Sequence, residues 1–310
     1  MYDALFPNTE VASTAELQTL PDAFAYETTP PADILDSMAW NATARDILND
    51  LIPVVAENAP PEPPEKSWLR KIVESAVRAN HPAATEEPAD VSLGTSFWHP
   101  GRLMRAVLDK MPEGPARLDM IREVTRFSIR MYANGTDQRG LAIVTMLFKE
   151  AGLIDADVAQ PKDTSTHLAT SPRFTQKAAN RLHDKTDAPL LMIPICHGGF
   201  VAGIQTALAY KKLRPQNDTK IHPVRYSKNK MQDPAPQISP TEMDLIRENA
   251  RDHTVLVFDE DAIGGRTMAT TVKHLKKQLG AGTVVLGLVA DGTSRTQVET
   301  ITHGTWWEHA

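Results

Sequence analysis

A single cysteine, Cys196, stands in 310 residues, so an intrachain disulfide and any cysteine-built zinc site are excluded. No apolar run approaches the roughly 18 residues that a membrane span needs. The opening MYDALFPNTE has neither the basic nor the apolar segment of a secretory leader. These absences predict a reducing, cytoplasmic setting without a membrane partner. Basic residues are nearly missing from the front, where residues 1–60 hold ten acids against Arg45 alone. The whole chain carries a net charge of −6, which argues against a protein whose main business is coating nucleic-acid phosphates. No GxxxxGK[ST] and no His-Glu-x-x-His occurs, which disfavours a P-loop kinase and a zinc hydrolase of that type.

The length allows one large domain or two ordinary ones, and the 41% apolar and 23% charged fractions are those of a globular chain that folds by burial. Twelve of the 23 prolines fall within the first hundred residues, with pairs at Pro30-Pro31, Pro60-Pro61 and Pro63-Pro64 that cut the region into short pieces. The apolar spacing predicts two modest helices there, within 33–55 and 67–79, joined by a Pro-rich linker. Residues 101–152 are expected to be all helical, punctuated by Asn134-Gly135, and to show no catalytic motif. The expected first unit is therefore a helical region over 1–150 that caps or hoods the carboxyl-terminal half, or dimerises it.

From about residue 188 short apolar runs alternate with amphipathic stretches. The runs are PLLMIPI (189–195), KIHPVRY (220–226), TVLVFDE (254–260) and TVVLGLVAD (283–291). Strands alternating with helices predict βαβ units and a parallel sheet, an α/β architecture. Ligands bind such sheets beyond the carboxyl ends of the strands, so the residues just after each run carry the functional information.

The third of these runs delivers Asp259, Glu260 and Asp261, then Ile263-Gly264-Gly265-Arg266-Thr267 and a helix. Acids beside a glycine turn and a helix N-terminus put acceptors for sugar hydroxyls next to N–H donors for a phosphate. This pattern resembles the signature of the type I phosphoribosyltransferases: four apolar residues, two acids, and a stretch ending in Thr-Gly-x-Thr. Gly264 stands where that family usually has threonine, and Ile263 where many of its purine enzymes have aspartate. A second resemblance lies in Ile193-Pro194-Ile195-Cys196-His197-Gly198-Gly199, similar to the family's pyrophosphate loop, with His197 where arginine or lysine is usual. A third is HPVRYSKNKMQDPAPQISP (222–240), a strand followed by a polar, proline-containing loop, where the family has a mobile loop. Arg225, Tyr226, Ser227, Lys228 and Lys230 would there supply cations and hydroxyls. The ending His303-Gly304-Thr305-Trp306-Trp307-Glu308 resembles, more loosely, the tryptophan-rich hood of some purine enzymes of the family.

The resemblance covers roughly residues 165–308. It implies a phosphoribosyltransferase-like domain over 165–310 and transfer of a phosphoribosyl group from 5-phospho-α-D-ribose 1-diphosphate to a nitrogenous base, with release of pyrophosphate. Asp259 and Glu260 would hold the ribose hydroxyls and bear on magnesium indirectly, through the substrate. Ile263 to Thr267 would take the 5-phosphate, and His197 to Gly199 with Lys228 and Lys230 the pyrophosphate. The expected partners are the phosphoribosyl diphosphate and a small-molecule acceptor, with no nucleic acid and with room for a homo-oligomer. The alternative is a regulator of the same fold that binds a nucleotide or phosphoribosyl diphosphate without turnover. Asp259-Glu-Asp261 also fits the start of a haloacid dehalogenase-like phosphatase, but too few residues come after Asp261 for that fold's remaining strands.

Overall fold

The computed structural model describes residues 11–16, 40–57, 98–135, 137–160, 170, 172–227, 232–260, 266–280, 282–283 and 285–289. The expected helix at 67–79, its Pro-rich linker and the Trp306-Trp307 ending lie outside these residues.

Among the described residues the chain is α/β, with eight α-helices around a mixed, mostly parallel sheet. In chain order the strands are β1 (Ala12–Ser13), β2 (Trp40–Thr43), β3 (Asp157–Gln160), β4 (Leu190–Cys196), β5 (Thr219–Ile221), β6 (Val224–Arg225), β7 (Thr254–Asp259) and β8 (Val285–Val289). The helices are α1 (Ala44–Glu57), α2 (His99–Lys110), α3 (Pro115–Asn134), α4 (Gln138–Glu150), α5 (Pro172–Lys185), α6 (Gly198–Leu213), α7 (Pro240–Asn249) and α8 (Arg266–Leu279). The main sheet runs β1-β5-β4-β7-β8, and β6 extends the β5 side of β4. Every pairing in it is parallel except β1 against β5.

The period-2 alternation of β4 and β7 builds two layers from one sheet. Leu190, Met192, Leu256 and Phe258 join a hydrophobic cluster with Leu103, Phe127, Phe148, Leu182 and Phe200. Leu191, Ile193, Ile195, Val255 and Val257 face the other way, onto Met243 and Ile246 of α7 and Met268, Val272 and Leu275 of α8. Strands covered on both faces read as continuous apolar runs, as these do. The first cluster contains residues of α1 to α6 together with the sheet, so the amino-terminal helices share one core with β4 and β7.

The stretch 101–152 is helical as expected, in three pieces whose ends have local causes. Pro115 opens α3, whose amino end needs no donor there, and Gly135 closes it at φ 72°, a left-handed turn open to glycine. Asp137 caps α4 by accepting from Gly140 N at 2.9 Å. Two expectations need correction. The helix predicted over 33–55 starts only at Ala44, and Trp40–Thr43 before it is a strand paired with β3. Thr43 and Asp46 cap one another across that boundary: Thr43 N donates to Asp46 Oδ2 at 2.8 Å, and Asp46 N to Thr43 Oγ1 at 3.2 Å. The single strand predicted over 220–226 is two, because Pro223 has no N–H to give the ladder and breaks it after Ile221.

Candidate functional site

Strand β4 lies between β5 and β7, and the chain leaves its two central strands in opposite directions. After β4 it enters α6 on the first layer, and after β7 it enters α8 on the second. Two neighbouring parallel strands whose exits diverge leave a crevice at their carboxyl ends, the place where open α/β sheets take ligands. His197-Gly198-Gly199 leaves β4 there, and Asp259-Glu260 ends β7 there, with Pro194 and Phe258 in register one turn below.

The two motifs, about sixty residues apart in the chain, are in contact. The Glu260 carboxylate fills the space that a Cβ on Gly198 would need. A Cβ on Gly199 would stand 3.0 Å from Phe258 O and 3.2 Å from Asp259 Cα. Gly199 is thus demanded by the close approach of the β7 backbone to the start of α6, and Gly198 leaves room there for the Glu260 side chain. Asp259 is buried, and its Oδ1 accepts from Glu260 N at 3.0 Å. Gly198 and Gly199 open α6, a sixteen-residue helix buried on nearly every side, so its amino end meets the crevice with N–H groups that have no helical acceptor.

His197 is set by a residue from the helical region. Its Nε2 lies 3.1 Å from Asp109 Oδ1 on α2, and its Nδ1 is buried with no hydrogen-bond partner among the described residues. The Cys196–His197 peptide is cis. Burial pushes His197 below the ordinary imidazole range, while Asp109 works in the opposite direction. Burial alone would raise Asp109, but the His197 hydrogen bond and the charges of Arg225 and Arg105 hold its carboxyl below the usual range. The pair is therefore a carboxylate accepting from a neutral imidazole at neutral pH. Arg225 Nε lies 3.0 Å from the same Asp109 oxygen, and its Nη2 lies 3.5 Å from Asp233 Oδ1. Cys196 beside them is buried, and burial first, then the nearby Asp109, pushes its thiol well up, which makes it no nucleophile.

The segment after β6 is tied at its base. Gln237 N donates to Arg225 O at 2.8 Å, Asp233 N to Ser227 O at 3.2 Å, and Ser227 N to Asp233 Oδ2 at 2.9 Å. Lys228 and Lys230 lie on the part of this loop outside the described residues. Tyr226 is 2% exposed and belongs to the hydrophobic cluster of the α7 and α8 layer, with Ile195 and Val224. Of the phosphate turn, Arg266 and Thr267 form the first turn of α8, Arg266 exposed and Thr267 half-buried, while Ile263, Gly264 and Gly265 lie outside the described residues.

The crevice thus gathers His197, Gly198, Gly199, Asp259 and Glu260, and Asp109 links it to Arg225. Sequence reasoning missed Asp109 and the nearby Arg105, because α2 carries them within an ordinary amphipathic stretch. No family model, curated protein or solved structure matches this chain. The chemistry of the crevice therefore rests on its own residues. No helix among the described residues is long and apolar enough to cross a membrane.

Proposed function

We propose that the crevice is the site of phosphoribosyl transfer in a domain of type I phosphoribosyltransferase architecture. The observation that carries this reading is the contact of Glu260 with Gly198, which joins an acid pair to a glycine-rich helix start. An acid pair offers acceptors for vicinal hydroxyls, and a glycine-bared helix terminus offers donors for a diphosphate. One ligand that needs both, a few ångströms apart, is a ribose bearing a 1-diphosphate.

In the proposed reaction the C1–O bond to the diphosphate breaks and a C1–N bond to the acceptor forms. Pyrophosphate carries away the bonding electron pair, and the acceptor nitrogen gives up its proton. Positive charge grows on the ribose ring as the leaving group departs, and Asp259 and Glu260 stabilise it while holding the 2- and 3-hydroxyls. The amide groups of Gly198 and Gly199, with His197 beside them, receive the departing diphosphate. Arg266 and Thr267, at the amino end of α8, suit the 5-phosphate.

Magnesium fits such a site as a passenger of the substrate. The described residues hold no cluster of three or more side chains able to bind a metal, while Asp259 and Glu260 present the hard oxygens that an incompletely dehydrated ion prefers. When bound it would neutralise diphosphate charge, with Asp259 and Glu260 reaching it through substrate oxygens.

One observation favours the non-transferring alternative. Both side chains expected at the diphosphate end are engaged by carboxylates, His197 by Asp109 and Arg225 by Asp109 and Asp233, an arrangement also suited to holding a ligand without turnover. Calorimetric titration with phosphoribosyl diphosphate and magnesium, followed by a panel of nitrogenous bases, separates the two. Binding followed by heat of turnover with one base supports the transferase. Saturable binding that no base converts into turnover supports the regulator, and absence of binding removes both.

A further inference from the structure

The Asp109 carboxylate is the strongest feature near the crevice that no sequence motif announces. It reaches the crevice from α2, and its Oδ1 serves two groups at once, His197 Nε2 at 3.1 Å and Arg225 Nε at 3.0 Å. His197 follows β4 and Arg225 ends the adjacent β6, since Cys196 and Arg225 are paired in the β4–β6 register. Asp109 is therefore a bolt across the mouths of β4 and β6, holding the start of the glycine loop against the start of the segment that leaves β6.

Resting on the reading of the crevice as a diphosphate site, we infer that Asp109 is a positioning residue: it aims His197 and Arg225 so that the diphosphate finds them already oriented. The orienting effect arises from the donor set. A carboxylate oxygen accepting Nε2–H fixes which imidazole nitrogen carries the proton and in which plane the ring stands, and leaves Nδ1, which has no hydrogen-bond partner among the described residues, as the nitrogen that takes up a proton when an anion arrives. The same oxygen draws the Arg225 guanidinium as an ion pair, without a hydrogen bond from Nε, and Asp233 draws its Nη2 end. Side chains ordered before the ligand arrives do not lose that freedom on binding, so affinity rises.

A positioning carboxylate and a bystander carboxylate act on a bound anion with opposite signs. By Coulomb's law alone, deleting a carboxylate near an anion site tightens the anion. If Asp109 positions the Arg225 guanidinium and the His197 ring, deleting it weakens the anion instead. The test is Asp109→Asn and Asp109→Ala, titrated with phosphoribosyl diphosphate and magnesium beside the wild type, with melting temperatures measured in parallel. The expected result is a Kd raised about three- to tenfold in Asp109→Asn, whose amide oxygen still accepts from His197, and more than tenfold in Asp109→Ala. The histidine ring protons report the orientation without any ligand. In ¹⁵N-histidine-labelled protein, with His197 assigned by His197→Gln, a downfield, slowly exchanging Nε2–H is expected in wild type and Asp109→Asn and is expected to vanish in Asp109→Ala.

Affinity unchanged or tightened in Asp109→Asn overturns the positioning role, as does a His197 resonance indifferent to Asp109→Ala. Should Asp109→Ala fail to fold, the sign of the Asp109→Asn change still decides. If the wild type itself binds no phosphoribosyl diphosphate, the functional reading fails and the positioning role falls with it, while the resonance then identifies Asp109 as a purely structural clamp.

Discussion

The Glu260 carboxylate occupies the place where any side chain on Gly198 would begin. That contact connects the last residue of one central strand's acid pair with the first residue of the helix that leaves the other. It also explains why two glycines, not one, open α6: the first yields to a side chain of β7 and the second to its backbone.

The two glycines should respond differently to a methyl group. In Gly198→Ala the new Cβ displaces the end of a flexible side chain, so the fold should survive with a change within about 1 kcal/mol. Glu260, pushed aside, should no longer meet the sugar, and affinity for phosphoribosyl diphosphate should fall at least tenfold. In Gly199→Ala the obstacle is the carbonyl of Phe258 and the Cα of Asp259, at 3.0 and 3.2 Å, in a central strand that cannot give way. A loss of roughly 1–3 kcal/mol is expected there. Thermal melting beside calorimetry reads both effects, and a Gly198→Ala protein that binds as the wild type does would remove Glu260 from the site.

Asp259→Asn combined with Glu260→Gln keeps shape and hydrogen-bonding capacity while removing both charges. If the acids offset positive charge on the ribose ring, turnover with the accepted base should fall by more than a hundredfold. Binding of the diphosphate donor should change far less, because the ring charge develops only in the transition state. Equal losses in kcat and in affinity would assign the pair to ground-state binding instead.

The sheet was legible in the sequence wherever burial on both faces produced an uninterrupted apolar run. The segments 189–195 and 254–260 appear as Leu190–Cys196 and Thr254–Asp259, each within a residue of its expected bounds. The helix after β4 starts at the glycines themselves. The strand Trp40–Thr43 was not, because the flanking apolar residues carry a helical rhythm and its partner β3 is more than a hundred residues away. Pairings of that kind are tertiary and leave no local period. The same limit hid Asp109: an acid on an amphipathic helix looks like any solvated acid until folding puts His197 and Arg225 beside it. His197 and Glu260 were found because strand ends in α/β sheets are privileged positions, whereas a helix flank is not.

Asp137 does two jobs at the junction of α3 and α4. Its Oδ1 accepts from Gly140 N, capping α4, and its Oδ2 lies 2.6 Å from Arg130 Nε. Asp137→Ala should lower stability by about 1–2 kcal/mol, mostly through the lost cap, and Asp137→Asn should restore most of it. Chemical denaturation reads the change.

Glu242 gives the fold a pH dependence on the acid side. It sits at the third position of α7 in a reciprocal cap: Glu242 N donates to Ser239 Oγ at 3.2 Å, and Ser239 N donates to Glu242 Oε2 at 2.9 Å. His222 Nε2 stands 3.7 Å from Glu242 Oε1, close enough for charge but beyond a hydrogen bond. Burial alone would raise the carboxyl, yet His222 and the Ser239 contacts outweigh it and bring Glu242 down to about 2. A carboxyl depressed in the folded state adds stability above its unfolded value, near 4.5, and loses it as pH falls toward 2. Glu242→Gln should therefore cost roughly 1–3 kcal/mol at neutral pH and shrink the difference from wild type progressively between about pH 4.5 and 2. Because α7 leads directly into β7, the loss should register in global unfolding and not in fraying of one helix. Denaturant titrations of both proteins at pH 7, 4 and 3 measure it. A stability gap that stays constant across that range would mean that the cap holds by shape and hydrogen bonding alone.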